Sequence, residues 1–336
     1  MGKAGTPEEA LHARRRTRIE QKTGRGEILT SLGDYYFLGS RIEISIKKGE
    51  GKMGQKPYNL IDCTQVDVKD WLKETDICLV PIGSCEQHGN HLPLRTDSIT
   101  AEVITERAAQ KAKVPHTPVV WCGYSPQHMR EPGSGAGTIT LRSTTLQAIL
   151  YDIGRSLIHH GFNKVIYVTG HGSNIKVLDP LLRNLRYETG AFIAMYKAYS
   201  ERDLSLVQDI IENPKEETPG WHCSEMETAQ DMAYNMNLVR MDRAIKEFTH
   251  APGWMGPAFS KHDGSSGVTF KNQEYIVVPM EHHEYSESGV VGNPFRATAE
   301  KGEKLFERFA SYLADFLEEV KKIKVNVTNR AFVHRA

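Results

Sequence analysis

The chain has 336 residues, 39% of them hydrophobic, which is enough to bury a substantial core without a covalent staple. Lys plus Arg and Asp plus Glu balance at 42 each, so the summed charge offers no general attraction to nucleic acid or to an anionic membrane, and a small molecule is the expected partner. Five cysteines without a CxxC pair argue against a disulfide framework and a thiolate zinc site, and no long apolar run reads as a signal peptide or membrane span, so a cytoplasmic protein is expected.

Residues 1–56 read as a charged, Gly-rich extension, with a short helix opened by Thr6-Pro7-Glu8-Glu9 and a basic run at Arg14-Arg15-Arg16 that suits a solvated or subunit-contacting face. From 57 onward, β-rich runs alternate with helical periodicity. Ile77–Ile82 precedes a helix over 98–113, Pro118–Trp121 precedes 144–160, Val165–Val168 precedes 174–189, and Ala191–Tyr196 precedes 224–237. A further strand at Tyr275–Pro279 and a helix over 295–322 close the pattern. Strands separated by helices of this length imply crossover connections, hence a three-layer α/β/α domain with a mainly parallel sheet over 57–325 and a C-terminal tail at 326–336.

In open α/β sheets ligands collect beyond the carboxyl ends of the strands, so the residues after each strand carry the chemistry. After Ile82 come Glu86 and His88, two apart and therefore on one face of an extended segment, and Asp97 at the start of the next helix. After Val168 comes Gly170-His171-Gly172-Ser173-Asn174, and after the fourth strand His222-Cys223-Ser224-Glu225-Met226-Glu227. Each has a plain alternative: Asp97 as a helix cap, His88 or His91 as a hydrogen-bonded core histidine, Ser173 or Asn174 as an N-cap, and Ser224 with Glu227 as a capping box. Glu225 is not explained by capping. Imidazoles and carboxylates gathered at one sheet edge are costly unless cations neutralise them, so the joint pattern favours a two-metal hydrolytic centre. Gly133-Ser134-Gly135-Ala136-Gly137 is neither a dinucleotide fingerprint nor a P-loop and reads as a loop passing near the site, and Cys85 and Cys223 read as packed residues rather than nucleophiles.

These residues resemble the creatininase family (creatinine amidohydrolase and its relatives) over roughly 57–320. The resemblance rests on Gly83-Ser84-Cys85-Glu86-Gln87-His88-Gly89, His91-Leu92-Pro93-Leu94, Thr96-Asp97, Gly170-His171-Gly172, His222 with Glu225-Met226-Glu227-Thr228, and Gly289-Val290-Val291-Gly292. It implies two divalent ions (Zn, Mn or Fe), one held by Glu86, Asp97 and His171, the other by His88, Asp97 and a further Glu. Creatininase proper has that Glu where this chain has Ser173, and Glu225 is the expected substitute. His222 is the implied proton donor to the leaving group with Glu227 beside it, and Ser125 and His128 match a substrate-side motif. The implied reaction is attack of a metal-bridging hydroxide on a carbonyl of a small polar ring. The branch that opens diketo-inositol rings (3-dehydro-scyllo-inosose type) fits best, ahead of cyclic-amide amidohydrolases and formamide deformylases. A closed homo-oligomer, hexamers included, is also implied. A non-catalytic binder on the same fold is disfavoured by the intact ligand set.

Overall fold

The computed structural model describes residues 35–37, 40–42, 56–198, 204–212 and 222–333, and divides into two units, 1–54 and 55–336. In the first unit, β1 (Tyr35–Phe37) and β2 (Ser40–Ile42) pair antiparallel, with Tyr35 opposite Ile42 and Phe37 opposite Ser40. The helix expected after Thr6 and the basic run at 14–16 lie outside the described residues.

The second unit opens with α1 (Gln65–Glu74), started by a capping box in which Thr64 and Asp67 satisfy each other's backbone N–H groups. It is built around β3 (Ile77–Ile82), β4 (Lys164–Thr169) and β5 (Phe192–Lys197), all parallel in the order β3-β4-β5. Because side chains alternate across a strand, β3 and β4 feed two cores. Ile77, Leu79, Ile166 and Val168 face α2 (Thr96–Ala112), α5 (Glu225–Asn235) and α6 (Ala299–Lys322). Cys78, Val80, Ile82, Val165 and Tyr167 face α3 (Ser143–His160) and α4 (Gly172–Thr189). Both strands are buried along their whole length, the state expected of parallel strands covered on both faces. This is the three-layer α/β/α architecture implied by the alternating pattern.

Two local expectations change. The segment near Pro118 adds to the sheet through bridges of His116 to Leu79 and Val120 to Ile82, and the ladder lapses between them, where Pro81 of β3 has no N–H to donate. The run near Tyr275 does not join the main sheet. It forms β8 (Gln273–Val277) of a separate antiparallel sheet with β6 (Phe259–Ser260) and β7 (Gly267–Phe270). Lys271 and Asn272, with φ of 49° and 61°, make the left-handed two-residue turn that folds β8 back on β7. The C-terminal segment is tied to the domain: Thr328 N donates to Thr189 O at 2.9 Å, and the buried Arg155 guanidinium donates to the carbonyls of Asn329 and Ala331.

The carboxyl ends of β3 and β4 run directly into the conspicuous polar segments. Gly170 lets them converge, since a Cβ there would stand 2.1 Å from Asp97 O, so only glycine allows α2 to start against the end of β4.

Candidate metal centre

Five side chains meet at this edge of the sheet, all buried: Glu86, His88, Asp97, His171 and Glu227. His88 donates its Nδ1 proton to Glu86 O at 3.1 Å, which leaves Nε2 as a lone pair. That nitrogen lies 3.6 Å from Asp97 Oδ1, 3.8 Å from Glu227 Oε2 and 3.9 Å from Glu86 Oε1. His171 is turned the other way. Its Nε2 donates to Tyr124 O at 3.0 Å, and its Nδ1 faces Asp97 Oδ2 at 3.1 Å. Among the described residues five groups of side chains could hold a cation, and two of them share Asp97: Glu86 with Asp97 and His171, and His88 with Asp97 and Glu227, the candidate ligand atoms within each lying within 4.8 Å of one another. Asp97 belongs to both sets. It is the second residue of α2, whose start has no side-chain cap, so capping does not account for it.

The donor chemistry fits cations. Among the described residues, Glu86 Oε2, His88 Nε2 and Asp97 Oδ2 are buried without a hydrogen-bond partner, a state that costs several kcal/mol unless a cation satisfies it. Burial works against charge on His171, yet the Glu86 and Asp97 carboxylates outweigh it and lift its pKa to about 9. Burial likewise pushes Asp97 up, but His171 and His88 hold it at about 2, whereas Glu227 is carried by burial to about 8. Three carboxylates and two imidazoles in a dry pocket thus attract positive charge to their centre. Mixed oxygen and nitrogen donors suit Zn, Mn or Fe.

Glu225, the carboxylate expected to complete the set, is elsewhere. Its Oε1 pairs with Lys301 Nζ of α6 at 2.6 Å and accepts from Glu212 N at 3.0 Å. At about 100° per residue, positions two apart leave a helix on nearly opposite sides, so only one of Glu225 and Glu227 can face the sheet edge. Glu227 does, steadied by Cys223 N, which donates to its Oε2 at 2.6 Å. The capping box does not form: Ser224 makes no side-chain cap bond, and Cys223 turns through a left-handed φ of 59° to aim its N–H at Glu227. Neither Ser173 nor Asn174 caps α4. Ser173 Oγ accepts from Gln127 Nε2 at 3.2 Å, and Asn174 ties Gly83 O to Tyr124 N, each at 3.0 Å. His91 is the hydrogen-bonded core histidine, 3.1 Å from Thr228 Oγ1.

A wall of imidazoles stands over the carboxylates. His222 Nε2 donates to Gln87 O at 2.9 Å, and its Nδ1 lies 3.7 Å from Glu86 Oε1. The His222 ring is 4.3 Å from that of His88, 5.3 Å from His128 and 4.7 Å from His282. Burial, reinforced by the neighbouring imidazoles, holds His128, His222 and His282 below the ordinary histidine range, His282 at about 3. Ser125 hydrogen-bonds Ser84 and lies 3.2 Å from His171 Nε2, and Gly135 of the glycine-rich loop packs on His128 O. His282 was not singled out in the sequence; it follows the small antiparallel sheet in a 3-10 turn (His282–Glu284), where no periodicity marks it. His128, His222 and His282, with Glu86, Asp97, His171, Glu227, Gln127, Lys176 and Tyr285, line a cleft of about 830 Å³ of empty space. The thiol of Cys223 is buried and pushed well above its usual range, which makes it a poor nucleophile.

The chain is similar to several known proteins. The chain is 26% identical over 254 residues to creatinine amidohydrolase of Pseudomonas putida (72% of this chain, 89% of that protein). It is 27% identical over 243 residues to the mycofactocin precursor peptide peptidase of Mycolicibacterium smegmatis (70% and 82%) and 24% identical over 280 residues to 3-dehydro-scyllo-inosose hydrolase of Thermotoga maritima (76% and 81%). A crystal structure of creatinine amidohydrolase superposes with a TM-score of 0.63 at 23% identity, covering 80% of this chain and all of that one; a manganese form and a Zn–Zn form of creatininase each superpose at 0.62 and 24%, with the same coverage. The family model described as creatininase, creatinine amidohydrolase, matches residues 62–317, and the chain therefore belongs to the creatininase family of metal-dependent hydrolases.

Proposed function

We propose that the protein binds two divalent ions, Zn or Mn in the first instance, and uses them to open a small polar ring at a carbonyl, the best candidate being a diketo-inositol of the 3-dehydro-scyllo-inosose type. The observation that carries this reading is the pair of donor sets sharing Asp97, Glu86 and His171 on one side, His88 and Glu227 on the other. Glu227 replaces Glu225 as the fifth ligand. Cations held at these positions would acidify water and polarise a carbonyl oxygen.

The chain's own groups do the rest. His222 spends its Nε2 proton on Gln87 O, so its Nδ1 enters the reaction bare, takes up a proton as water attacks and returns it to the leaving atom. His128, which lines the cleft, and Ser125 are the proposed substrate-side groups. The wall of neutral imidazoles supplies hydrogen bonds without charge, which suits an uncharged, oxygen-rich ring. Ser173 stands where creatininase proper carries a ligand Glu, which favours the inositol branch over creatinine itself. A cyclic amide remains the second reading, supported by the 26% identity to creatinine amidohydrolase.

The test is a substrate panel of creatinine, an N-formyl compound and an oxidised inositol on zinc- or manganese-loaded enzyme, with a chelated control and product masses recorded. Metal-dependent addition of water to the oxidised inositol alone is the expected result. Turnover of creatinine alone would move the protein to the amidohydrolase branch, and turnover that survives chelation would overturn the metal reading.

A further inference from the structure

Gln87 lies between two ligands of the centre, yet its own polar groups all turn outward from it. Its N–H donates to Thr138 Oγ1 at 3.0 Å, its carbonyl accepts from His222 Nε2 at 2.9 Å, its Oε1 accepts from Gly89 N at 2.9 Å, and its Nε2 meets His128 Nδ1 at 2.9 Å. The Gly89 contact fixes which way round the amide sits, because a backbone N–H can only be met by the oxygen. The nitrogen must then face His128. An amide nitrogen only donates, so His128 Nδ1 is bare and, in the neutral ring, the proton is on Nε2, which points toward the cleft 3.6 Å from Glu86 Oε2. A carbonyl only accepts, so His222 is held with its proton on Nε2 and a bare Nδ1. The longer approach of Gln87 Nε2 to His222 Nε2, 3.4 Å, sets two donors side by side and carries no bond. Room for this side chain comes from Gly289: at φ of 80°, a Cβ there would stand 2.4 Å from Gln87 Oε1.

We infer that Gln87 is a positioning residue that fixes the tautomers of both cleft imidazoles, so that His128 presents a hydrogen-bond donor to the substrate and His222 an acceptor. The substrate class follows: a carbonyl or developing oxyanion toward His128, and a hydroxyl or N–H proton toward His222. This consequence rests on the proposed hydrolase reading, while the tautomers themselves do not. Glycine at 89 and 289, and the spacing of Gln87 between ligands, are then parts of one device.

The experiment is nitrogen NMR of the imidazole side chains in the full-length chain, with and without added Zn²⁺, His128 being assigned by its absence in His128→Gln. The expected spectrum shows a bare Nδ1 and a protonated Nε2 for His128. Gln87→Glu should transfer the proton to Nδ1, since a carboxylate accepts where the amide donated. Gln87→Met should leave His222 unchanged, its partner being backbone, while His128 relaxes to a mixture. A proton on Nδ1 of His128 in the unaltered chain, or a tautomer indifferent to both substitutions, overturns the inference; if neither variant folds, the spectrum of the unaltered chain decides alone. The His88 and His171 signals report separately on metal: their failure to shift with Zn²⁺ would sink the two-metal reading and leave the Gln87 result standing.

Discussion

Asp97 offers one carboxylate to both donor sets, so its loss should cost more metal than the loss of any other ligand. Asp97→Ala should bind neither ion, Glu227→Gln should keep one, and Glu225→Gln should keep both, read as metal per chain after exhaustive dialysis. Retention of two ions by Asp97→Ala would refute its bridging place. Glu225→Gln should instead lose about 1–3 kcal/mol of stability, because Lys301 is left facing a neutral amide in a half-buried site. At this scale much of the site was legible. Glu86 and His88 are two apart beyond a strand, and Asp97 and His171 open the next helices, so strand alternation and the rule about carboxyl ends sufficed. The choice between Glu225 and Glu227 was not, because it depends on which side of α5 faces the sheet, and α6 decides that through Lys301. Capping reasoning counted against Glu227, whereas its carboxylate is held by Cys223 N in a left-handed turn that sequence pattern does not show.

The elements most easily read were those with strong periodicity: β3, β4 and the helices around them lie within a few residues of their expected bounds. Elements set by turns were harder. β8 pairs with β7 outside the main sheet, which the sequence does not reveal because Lys271-Asn272 is not an evident two-residue turn, and the Pro118 strand is reduced to bridges. One turn-held element bears on the chemistry. The loop over 286–292 pairs Val291 N with His222 O at 2.8 Å and is gathered by Glu247, which accepts from Ser286 Oγ, from the N–H groups of Glu287 and Ser288, and from Ser288 Oγ. Partial burial resists ionisation of Glu247, but the bonds from Ser288, Glu287 and Ser286 prevail and depress its pKa. A depressed carboxylate stabilises the fold above its unfolded pKa, about 4.3, and that contribution is lost as pH falls through the lower folded value. Glu247→Gln should therefore lower the Tm at neutral pH, with the gap to the unaltered chain closing below about pH 4. The effect should be modest, since Glu247 is partly solvated. A gap independent of pH would show that the carboxylate's charge plays no part.

For the whole molecule, no helix among the described residues is long and apolar enough to cross a membrane. Several large apolar side chains are nevertheless exposed, including Trp254, Tyr275, Val277 and Phe295. Single exposed residues need no explanation; Tyr275 and Val277 lie on β8 of the small antiparallel sheet, and the homo-oligomer implied by the family resemblance is a separate expectation. Native mass spectrometry should give a multiple of 37.8 kDa, six-fold if the hexamer is right, and a monomer at micromolar concentration would contradict it. Such assembly was never legible from spacing, since a closed interface leaves no periodic trace in one chain. The central claim is the position of the two ions, and anomalous X-ray scattering at the zinc edge from crystals of the zinc-loaded protein tests it most directly. Two peaks flanking Asp97 are expected, one reached by Glu86 and His171, the other by His88 and Glu227; a peak against Glu225, or none beside Asp97, would contradict the account.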